Sequence, residues 1–231
     1  MKNVAIITAR GGSKRIPHKN IKLFCGKPII QYSIEAAVQL EIFDEVMVST
    51  DDEQIKQIAI ELGAKVPFMR SESTSNDYAT TADVLNEVLF EYENSGMHFD
   101  HACCIYPTAP FITKEKLEKA YHLLVESHAE SVIPVVAYSF PPQRGFALKD
   151  DRLSYLQPEN AMKRSQDLET IYHDCGQFYF FRVDQFLKSK KLVTNTTRAI
   201  VMNELEVQDI DNESDWNIAE MKYQIMQNKM V

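Results

Sequence analysis

The sequence lacks an apolar run long enough to cross a membrane, and its N-terminal apolar stretch, VAIITA, is too short for the core of a secretion signal. Internal repeats and low-complexity tracts are also missing. We therefore expect a cytoplasmic protein with no membrane partner. With 231 residues, 45% of them apolar and 25% charged, the chain should form one globular domain over residues 1–231.

Cysteine is scarce, and its spacing is not that of a metal or redox site. The four cysteines form no CxxC pair, and two of them are adjacent within the apolar segment HACCIYP. Free cysteines are among the most buried residue types. We predict buried free thiols at Cys25, Cys103, Cys104 and Cys175.

Basic residues are outnumbered in this chain. It has 25 Lys and Arg against 33 Asp and Glu, which gives a formal net charge of −8 at pH 7. This balance argues against a general nucleic-acid surface. The expected partner is a small molecule.

What is present is an alternation of short apolar runs with longer segments of helical periodicity. Such an order is typical of a three-layer α/β/α domain with a mainly parallel sheet. Asp52 and Thr113 are expected to cap two of the helices, and Gly63 to end one. The predicted strands are VAIITA, EVMVST, HACCIYP and SVIPVVAY, and the predicted helices are PIIQYSIEAAVQL, DEQIKQIAIELG, TTADVLNEVLFEYEN and KEKLEKAYHLLVESH. The C-terminal segment AIVMNELEVQDIDNESDWNIAEMKYQIMQ is predicted to return to strand, loop and helix.

The alternation breaks over residues 139–182. This segment is rich in proline, turn residues, aromatics and paired charges, and it has no helical stripe. FALKDDRLSYL within it is typical of a β-hairpin that turns at residues 149–152. We predict that residues 139–182 form an arm inserted into the main domain.

The loop after the first predicted strand, in AIITARGGSKRIPHKNI, concentrates positive charge against the acidic trend of the chain. Ligands of open α/β sheets bind at the carboxyl ends of the strands. Gly11 and Gly12 permit close approach of the backbone, while Arg10, Lys14 and Arg15 suit phosphate oxygens. The spacing matches neither the P-loop nor the dinucleotide fingerprint. This loop is a candidate phosphate site, and the alternative is a solvated basic turn.

Two acids near the C-terminus form a candidate metal site. Asp209 and Asp211 are two residues apart, so on extended backbone both side chains point the same way. Paired carboxylates suit Mg²⁺ that is completed by substrate phosphates. The alternative is a helix start capped by Asn212 or Ser214.

Other candidate ligand contacts are isolated. Arg70 is a possible base or phosphate contact, and Thr80 with Thr81 could bind a ribose. Thr108 in the rigid turn YPTAPF could also reach a ligand. His173 and Asp174 have no accompanying nucleophile motif, which argues against a hydrolytic triad.

Taken together, these motifs resemble the CMP-sialic acid synthetases, also called acylneuraminate cytidylyltransferases. They occur in family order from about residue 4 to residue 218. YPTAP and GQFYF, where sialic acid members usually have QPTSP and NGAIYI, are closer to the branch that activates pseudaminic acid. The matching motifs are ARGGSKRIPHKNI, VSTDD, VPFMR followed by TADVL, YPTAPF, KRSQDLETIYHDCGQFY and DIDNESDW.

The resemblance implies a nucleotide-diphospho-sugar transferase-like fold, a homodimer with the arm crossing the interface, and Mg²⁺-dependent transfer of CMP from CTP to a nine-carbon sugar acid. The implied nucleotide-binding residues are Arg10, Gly11, Gly12, Ser13, Lys14, Asn20, Arg70, Ala79 and Thr80. The implied metal ligands are Asp209 and Asp211. Our candidates for sugar binding are Tyr106, Thr108, Lys163, Arg164 and Gln177, with Tyr106 standing where the family has glutamine.

The expected chemistry is attack of the anomeric hydroxyl on the α-phosphorus of CTP, with pyrophosphate as the leaving group. Arg10, Lys14 and Asp211 are the expected catalytic residues, and no general base is evident. The alternatives are a cytidylyltransferase for N-acylneuraminate, legionaminate or another 3-deoxy sugar acid, a nucleotidyltransferase for an ordinary sugar phosphate, and a non-catalytic CTP-binding module.

Overall fold

A seven-stranded mixed sheet carries helices on both faces. The computed structural model describes residues 1–229, and the last two residues of the predicted 1–231 domain lie outside it. The strands are β1 (Asn3–Thr8), β2 (Leu23–Phe24), β3 (Lys27–Pro28), β4 (Glu45–Ser49), β5 (His101–Ile105), β6 (Ser131–Ala137), β7 (Phe146–Lys149), β8 (Arg152–Tyr155), β9 (Tyr172–Asp174), β10 (Phe178–Arg182) and β11 (Arg198–Val201). The helices are α1 (Ile29–Val38), α2 (Glu53–Glu61), α3 (Glu72–Ser75), α4 (Thr81–Asn94), α5 (Lys114–Ser127), α6 (Val183–Ser189) and α7 (Glu213–Lys229).

The sheet has the order β11-β6-β10-β5-β1-β4, and β9 also pairs with β6. β4, β1 and β5 are mutually parallel, as are β11 and β6, whereas β10 is antiparallel to both β5 and β6. The predicted mainly parallel sheet is therefore confirmed. The carboxyl ends of β1 and β5 consequently lie side by side.

Side chains of β1 alternate between two cores. Ala5 and Ile7 pack with residues of α1, α2 and α5, whereas Val4 and Ile6 pack with residues of α4 and α6. All four are 0% exposed. This alternation is what a sheet covered on both faces requires, and it confirms the three layers.

A third core holds α7 against the start of α1. The ring of Phe24, 0% exposed, packs edge-on against Tyr32, Trp216 and Tyr223, each with its centroid 5.6 Å away. Aromatic pairs favour this edge-to-face geometry. The packing fixes the N-terminal end of α7, and with it the DID segment, beside the β1 loop.

Helix caps follow the predictions. Asp52 Oδ1 accepts hydrogen bonds from the backbone N–H groups of Gln54 at 2.8 Å and Ile55 at 2.9 Å. The hydroxyl of Thr113 accepts from the N–H of Lys116. Gly63, at φ 91°, follows the last turn of α2, as expected for a residue that ends a helix.

Residues 139–182, predicted to form an inserted arm, include a separate hairpin and two strands of the central sheet. The hairpin forms as β7 and β8, with both turn residues, Asp150 and Asp151, at positive φ. Residues 172–182, however, contribute β9 and β10 to the central sheet. The aromatic run FYFF of β10 is buried on both faces, so it shows neither helical nor alternating periodicity. The segment that stands off the sheet is therefore residues 139–171, which we call the arm below.

All four cysteines are free, as predicted. Cys103, Cys104 and Cys175 are buried, but Cys25 is only partly so, because it lies in the β2–β3 turn at positive φ. No helix within residues 1–229 combines the length and apolar character needed to cross a bilayer.

Candidate functional site

A cavity of about 510 Å³ opens at the carboxyl ends of β1 and β5. Its walls are the loop after β1, the segment between β4 and α4, the turn after β5 and the residue just before α7. The lining residues are Thr8, Arg10, Ser13, Lys14, Arg15, Ile16, Lys19, Asn20, Arg70, Thr74, Asn76, Asp77, Ala79, Thr80, Thr81, Val84, Tyr106, Pro107, Thr108 and Asp211.

The loop after β1 is fixed by its own polar groups. The buried amide of Asn20 donates to the carbonyl of Arg10 at 2.8 Å, and the N–H of Ser13 donates to the carbonyl of Gly11 at 2.9 Å. Buried Ile16 anchors the middle of the loop in the third core. The cationic side chains therefore extend from a backbone that is held in place.

Gly11 is required by close packing against the start of α2. A Cβ atom at this position would lie 2.8 Å from Asp52 Oδ2 and 3.0 Å from Asp52 Cβ. The N–H of Gly11 donates to Asp51 Oδ1 at 2.8 Å. At Gly12, by contrast, a Cβ would meet nothing within 4 Å, so that position leaves open space for a ligand. Both glycines lie between the lining residues Arg10 and Ser13.

The cations of this loop have carboxylate partners. Arg10 Nη1 donates to Asp77 Oδ1 at 2.8 Å, and Lys14 Nζ donates to Asp77 Oδ2. Arg15 Nη2 donates to Asp211 Oδ1 at 2.8 Å. The hydrogen bonds from Lys14 and Arg10 lower the pKa of Asp77. These three cationic side chains of the loop are therefore paired with carboxylates of the same chain.

Arg70 forms part of the cavity wall. It is buried, and its guanidinium donates to Ser49 Oγ at 3.0 Å and to the Ser49 carbonyl at 2.7 Å. Burial lowers the pKa of Arg70, and the charge of Asp51 opposes this shift. These bonds hold the guanidinium at the end of β4, in the cavity wall.

Thr80 and its neighbours show a division of roles. The Thr80 hydroxyl accepts from the Asp83 N–H at 3.2 Å, and Asp83 Oδ2 accepts from the Thr80 N–H at 2.9 Å, which completes a capping box at α4. The hydroxyl of Thr81 lies 3.0 Å from that of Tyr106. Thr80 therefore starts the helix, and Thr81 presents its hydroxyl at the cavity.

Tyr106 is positioned by contacts on all sides. Its N–H donates to the carbonyl of Gln177 at 2.8 Å, and its carbonyl accepts from the Ser33 hydroxyl at 2.8 Å. Its ring lies 5.4 Å from that of Tyr179, whose hydroxyl donates to Asp174 Oδ2 at 2.7 Å. Burial raises the pKa of Tyr106, so the phenol is neutral at pH 7.

The helix-start interpretation of the DID segment holds in the structure. Asn212 Oδ1 accepts from the N–H groups of Ser214 at 2.9 Å and Asp215 at 3.1 Å, so Asn212 caps α7. Ile210, 1% exposed, lies in the core between the two acids. The carboxylates of Asp209 and Asp211 are therefore left free of the helix start, and that of Asp211 accepts from Arg15.

The electrostatics of the DID segment fit a cation. Partial burial raises the pKa of Asp209, and the charge of Asp211 raises it further. Burial lowers the pKa of neighbouring Lys19, whereas the charges of both acids oppose this shift. Mutual repulsion between hard oxygen donors is what a divalent cation relieves. The residues present therefore fit Mg²⁺, with Asp211 on the cavity wall and Asp209 outside it.

Three of the sugar-binding candidates lie outside this cavity. Gln177 is 2% exposed, and its amide donates to the Glu206 carbonyl at 2.7 Å, which makes it part of the interior. Arg164 pairs with Asp167 in the arm, at 2.8 Å. Lys163, its exposed neighbour, is also absent from the cavity wall. Tyr106 and Thr108 do line it.

The sequence reasoning missed Asp77, Asn76 and Thr74. They lie between the motif residues Arg70 and Thr80, in a segment that follows a strand at the same sheet edge, and this position was the available signal. Asn76 shapes the segment, because its Oδ1 accepts from the N–H groups of Tyr78 and Ala79. Lys19, which lies in the loop after β1, also lines the cavity and was not among the predicted site residues.

Comparison with known proteins identifies the family of this chain. The family model described as cytidylyltransferase matches residues 4–201. The chain therefore belongs to the cytidylyltransferase family, a family of nucleotidyltransferases, and the resemblance drawn from its motifs is confirmed.

Two relatives within this family and one solved structure are similar to the chain over nearly its whole length. The chain is 40% identical over 226 residues to the pseudaminic acid cytidylyltransferase of Campylobacter jejuni, with 97% of each chain covered. It is 33% identical to the CMP-N,N'-diacetyllegionaminic acid synthase of Legionella pneumophila, with 100% of each covered. The solved structure of a CMP:2-keto-3-deoxy-manno-octonic acid synthetase complexed with CTP gives a TM-score of 0.69 at 20% identity, covering 99% of this chain and 100% of that one. This last likeness confirms the fold.

Proposed function

We propose that the chain transfers CMP from CTP to the anomeric hydroxyl of a nonulosonic acid, with pseudaminic acid as the preferred acceptor. The observation that carries the proposal is the cationic loop of Arg10, Lys14 and Arg15, which lines one cavity together with Asp211. The 40% identity to a pseudaminic acid cytidylyltransferase supports the choice of acceptor.

The reaction forms one bond and breaks one. The anomeric oxygen bonds to the α-phosphorus, the bond from that phosphorus to the bridging oxygen breaks, and pyrophosphate carries away the electron pair while the hydroxyl proton is released. Charge develops on the leaving group, so positioned cations stabilise the transition state. Arg10 and Lys14 hold the leaving pyrophosphate, and Ser13 and Asn20 support the loop that carries them.

The remaining cavity residues divide between nucleotide and sugar. Arg70 and Ala79 belong to the wall that receives the nucleoside, whereas Tyr106 and Thr108 follow β5 and face the acceptor. The neutral phenol of Tyr106 can donate to a polar substituent of the sugar and excludes water from the reacting atoms. Alignment of the two substrates is the main contribution of this scaffold.

Asp209 and Asp211 would hold Mg²⁺. When bound there, the ion would neutralise charge on phosphate oxygens and lower the pKa of the attacking hydroxyl. Arg15 now pairs with Asp211, so it can hold this carboxylate in place at the cavity before nucleotide arrives.

We further propose a homodimer in which the arm completes the partner's site. The arm exposes large apolar side chains on both strands of its hairpin, with Leu148 69% and Leu153 65% exposed, and Phe140 before it 84% exposed. Exposed apolar area of this kind marks an interface. Lys163 and Arg164 lie on the same arm and away from their own cavity, as a contact to the partner's sugar carboxylate would require.

The test is pyrophosphate release from each of the four nucleoside triphosphates with a panel of acceptors. We expect release only with CTP and highest kcat/KM with pseudaminic acid. The panel should include N-acylneuraminate, legionaminate, an eight-carbon 3-deoxy sugar acid and an ordinary sugar phosphate. A higher kcat/KM with another sugar acid would reassign the acceptor. CTP binding without release for any acceptor would favour a non-catalytic module.

A further inference from the structure

Asp77 joins the two cations that the proposed reaction needs for pyrophosphate. Its Oδ1 accepts from Arg10 at 2.8 Å, and its Oδ2 accepts from Lys14. The side chains are 37% exposed for Arg10 and 41% for Asp77, so the contact lies at the mouth of the cavity and within reach of solvent. We call this three-residue contact the Asp77 latch.

Both oxygens of Asp77 are directed at the phosphate loop, which distinguishes it from the metal pair. Asp211, by contrast, contacts Arg15 and neither Arg10 nor Lys14 among the hydrogen bonds of residues 1–229. One carboxylate held by two cations occupies the position that phosphate oxygens would take between them. Ligand phosphates and Asp77 must therefore compete for the same donors.

From this geometry we infer that Asp77 is a resident counter-anion, which CTP displaces on binding and which returns to Arg10 and Lys14 as pyrophosphate leaves. The inference rests on the proposed function for its ligands. It makes Asp77 a residue that sets selectivity by charge. A triphosphate or pyrophosphate carries enough charge to displace one carboxylate, and a ligand with a single phosphate charge competes on nearly equal terms.

The local structure allows this exchange without unfolding. Asp77 lies in the bend between α3 and α4, and the neighbouring N–H groups of Tyr78 and Ala79 are held by Asn76 rather than by Asp77. Tyr78 is 93% exposed, so the bend has no core contact there. Rotation of the Asp77 side chain away from the loop therefore leaves the bend intact.

The size of the effect follows from the fraction of molecules in which the latch is closed. Apparent affinity falls in proportion to the competent fraction, so a latch closed in about nine-tenths of molecules weakens binding about tenfold. Exposed ion pairs are individually weak, and we therefore expect a change of about threefold to tenfold.

The experiment measures calorimetric binding of CTP and of inorganic pyrophosphate to the full chain, without acceptor. For Asp77→Asn we expect both dissociation constants to fall about threefold to tenfold, and pyrophosphate to become a stronger product inhibitor by the same factor. Asp77→Ala is the second variant, in case the amide itself contacts Arg10. Glu72→Gln is the matched control, because it also removes one negative charge. Glu72 is exposed in α3 and, among residues 1–229, makes no hydrogen bond or ion pair to the loop.

Equal or weaker binding in both Asp77 variants would overturn the inference, and weaker binding would make Asp77 a ligand of the nucleotide. Equal tightening in Glu72→Gln would also overturn it, since the effect would then come from net charge. These results leave the proposed function intact if the parent transfers CMP. If the parent binds both probes but transfers no CMP, the proposed function is wrong and the inference about Asp77 stands. If the parent binds neither probe, both the proposed function and the inference are wrong.

Discussion

The carboxyl edge of the sheet and the arm differ in how far their apolar side chains are exposed. At the sheet edge, apolar residues such as Ile7 and Ile105 are 0% exposed, and the polar groups of the cavity have partners in the same chain. In the arm, Phe140 and Met162 are 84% and 95% exposed. The sheet edge therefore buries its apolar residues within one chain, whereas the arm leaves large apolar side chains exposed.

The largest expected effect is on the free energy of unfolding, which should fall much more for a substitution in the sheet than for one in the arm. Phe180 in β10 is 0% exposed and stacks on Phe43 at 5.8 Å. Phe180→Ala should cost about 3–5 kcal/mol of unfolding free energy through the cavity it leaves. Phe140→Ala in the arm should change it by less than about 0.5 kcal/mol. Urea unfolding of both variants at low chain concentration measures this, and equal costs would contradict the distinction between the regions.

The next effect tests the sheet edge as a metal site. Asp211→Asn should lower kcat about a hundredfold or more, because a ligand that positions Mg²⁺ is lost. Folding and metal-free CTP binding should be retained. Glu213→Gln is the control. Glu213 is an exposed acid two residues after Asp211, and it pairs with Lys22. Parent-like turnover of Asp211→Asn at limiting Mg²⁺ would remove the metal assignment.

The phosphate loop should show a somewhat smaller effect. Arg10→Ala and Lys14→Ala each lose charge-assisted hydrogen bonds of about 1.5–3 kcal/mol, which corresponds to roughly 10-fold to 150-fold in CTP kinetics. Lys27→Ala removes a cation that pairs with Glu35 away from the cavity and serves as the control. If the loop variants kept the parent's CTP kinetics, the loop would be a solvated basic turn.

Mixed dimers test whether the arm acts on the partner. An Arg10→Ala chain and a Lys163→Ala/Arg164→Ala chain should each be strongly impaired as homodimers. In a mixed dimer with trans arms, one site carries both lesions and the other carries neither. Random mixing should then restore about a quarter of the parent's activity. Mixed dimers that form and remain as weak as the homodimers would show that the arm serves its own chain or does not bind sugar.

The smallest effect concerns repulsion within the DID segment. Because the pKa of Asp209 is raised in the folded chain, ionising it opposes folding. Metal-free Asp209→Asn should therefore melt about 1–2 °C above the parent at pH 7. The difference should shrink as the pH falls toward the ordinary aspartate pKa of about 3.9, where the parent carboxyl becomes protonated. A difference that persists at low pH would assign it to packing instead.

Much of the site was predictable because it follows regular elements. Arg10, Lys14 and Tyr106 come directly after apolar runs that could only be buried strands, and parallel strands bring such positions to one edge. β10 was not predictable in the same way. Its aromatic run has no periodicity, and its place between β5 and β6 depends on contacts distant in sequence.

The sequence by itself determined the family, the helices α1, α2, α4, α5 and α7, and the strands β1, β4, β5 and β6, because each of these signals lies in contiguous residues with a clear spacing. It also placed the cationic loop and the acid pair at the ends of predicted elements. Only the tertiary structure decided that Asp77 holds Arg10 and Lys14, that Gln177 is interior, and that β10 enters the sheet antiparallel. The physical reason is that these outcomes depend on pairs far apart in the chain, such as Lys14 with Asp77, whose contact is set by packing of the whole sheet edge.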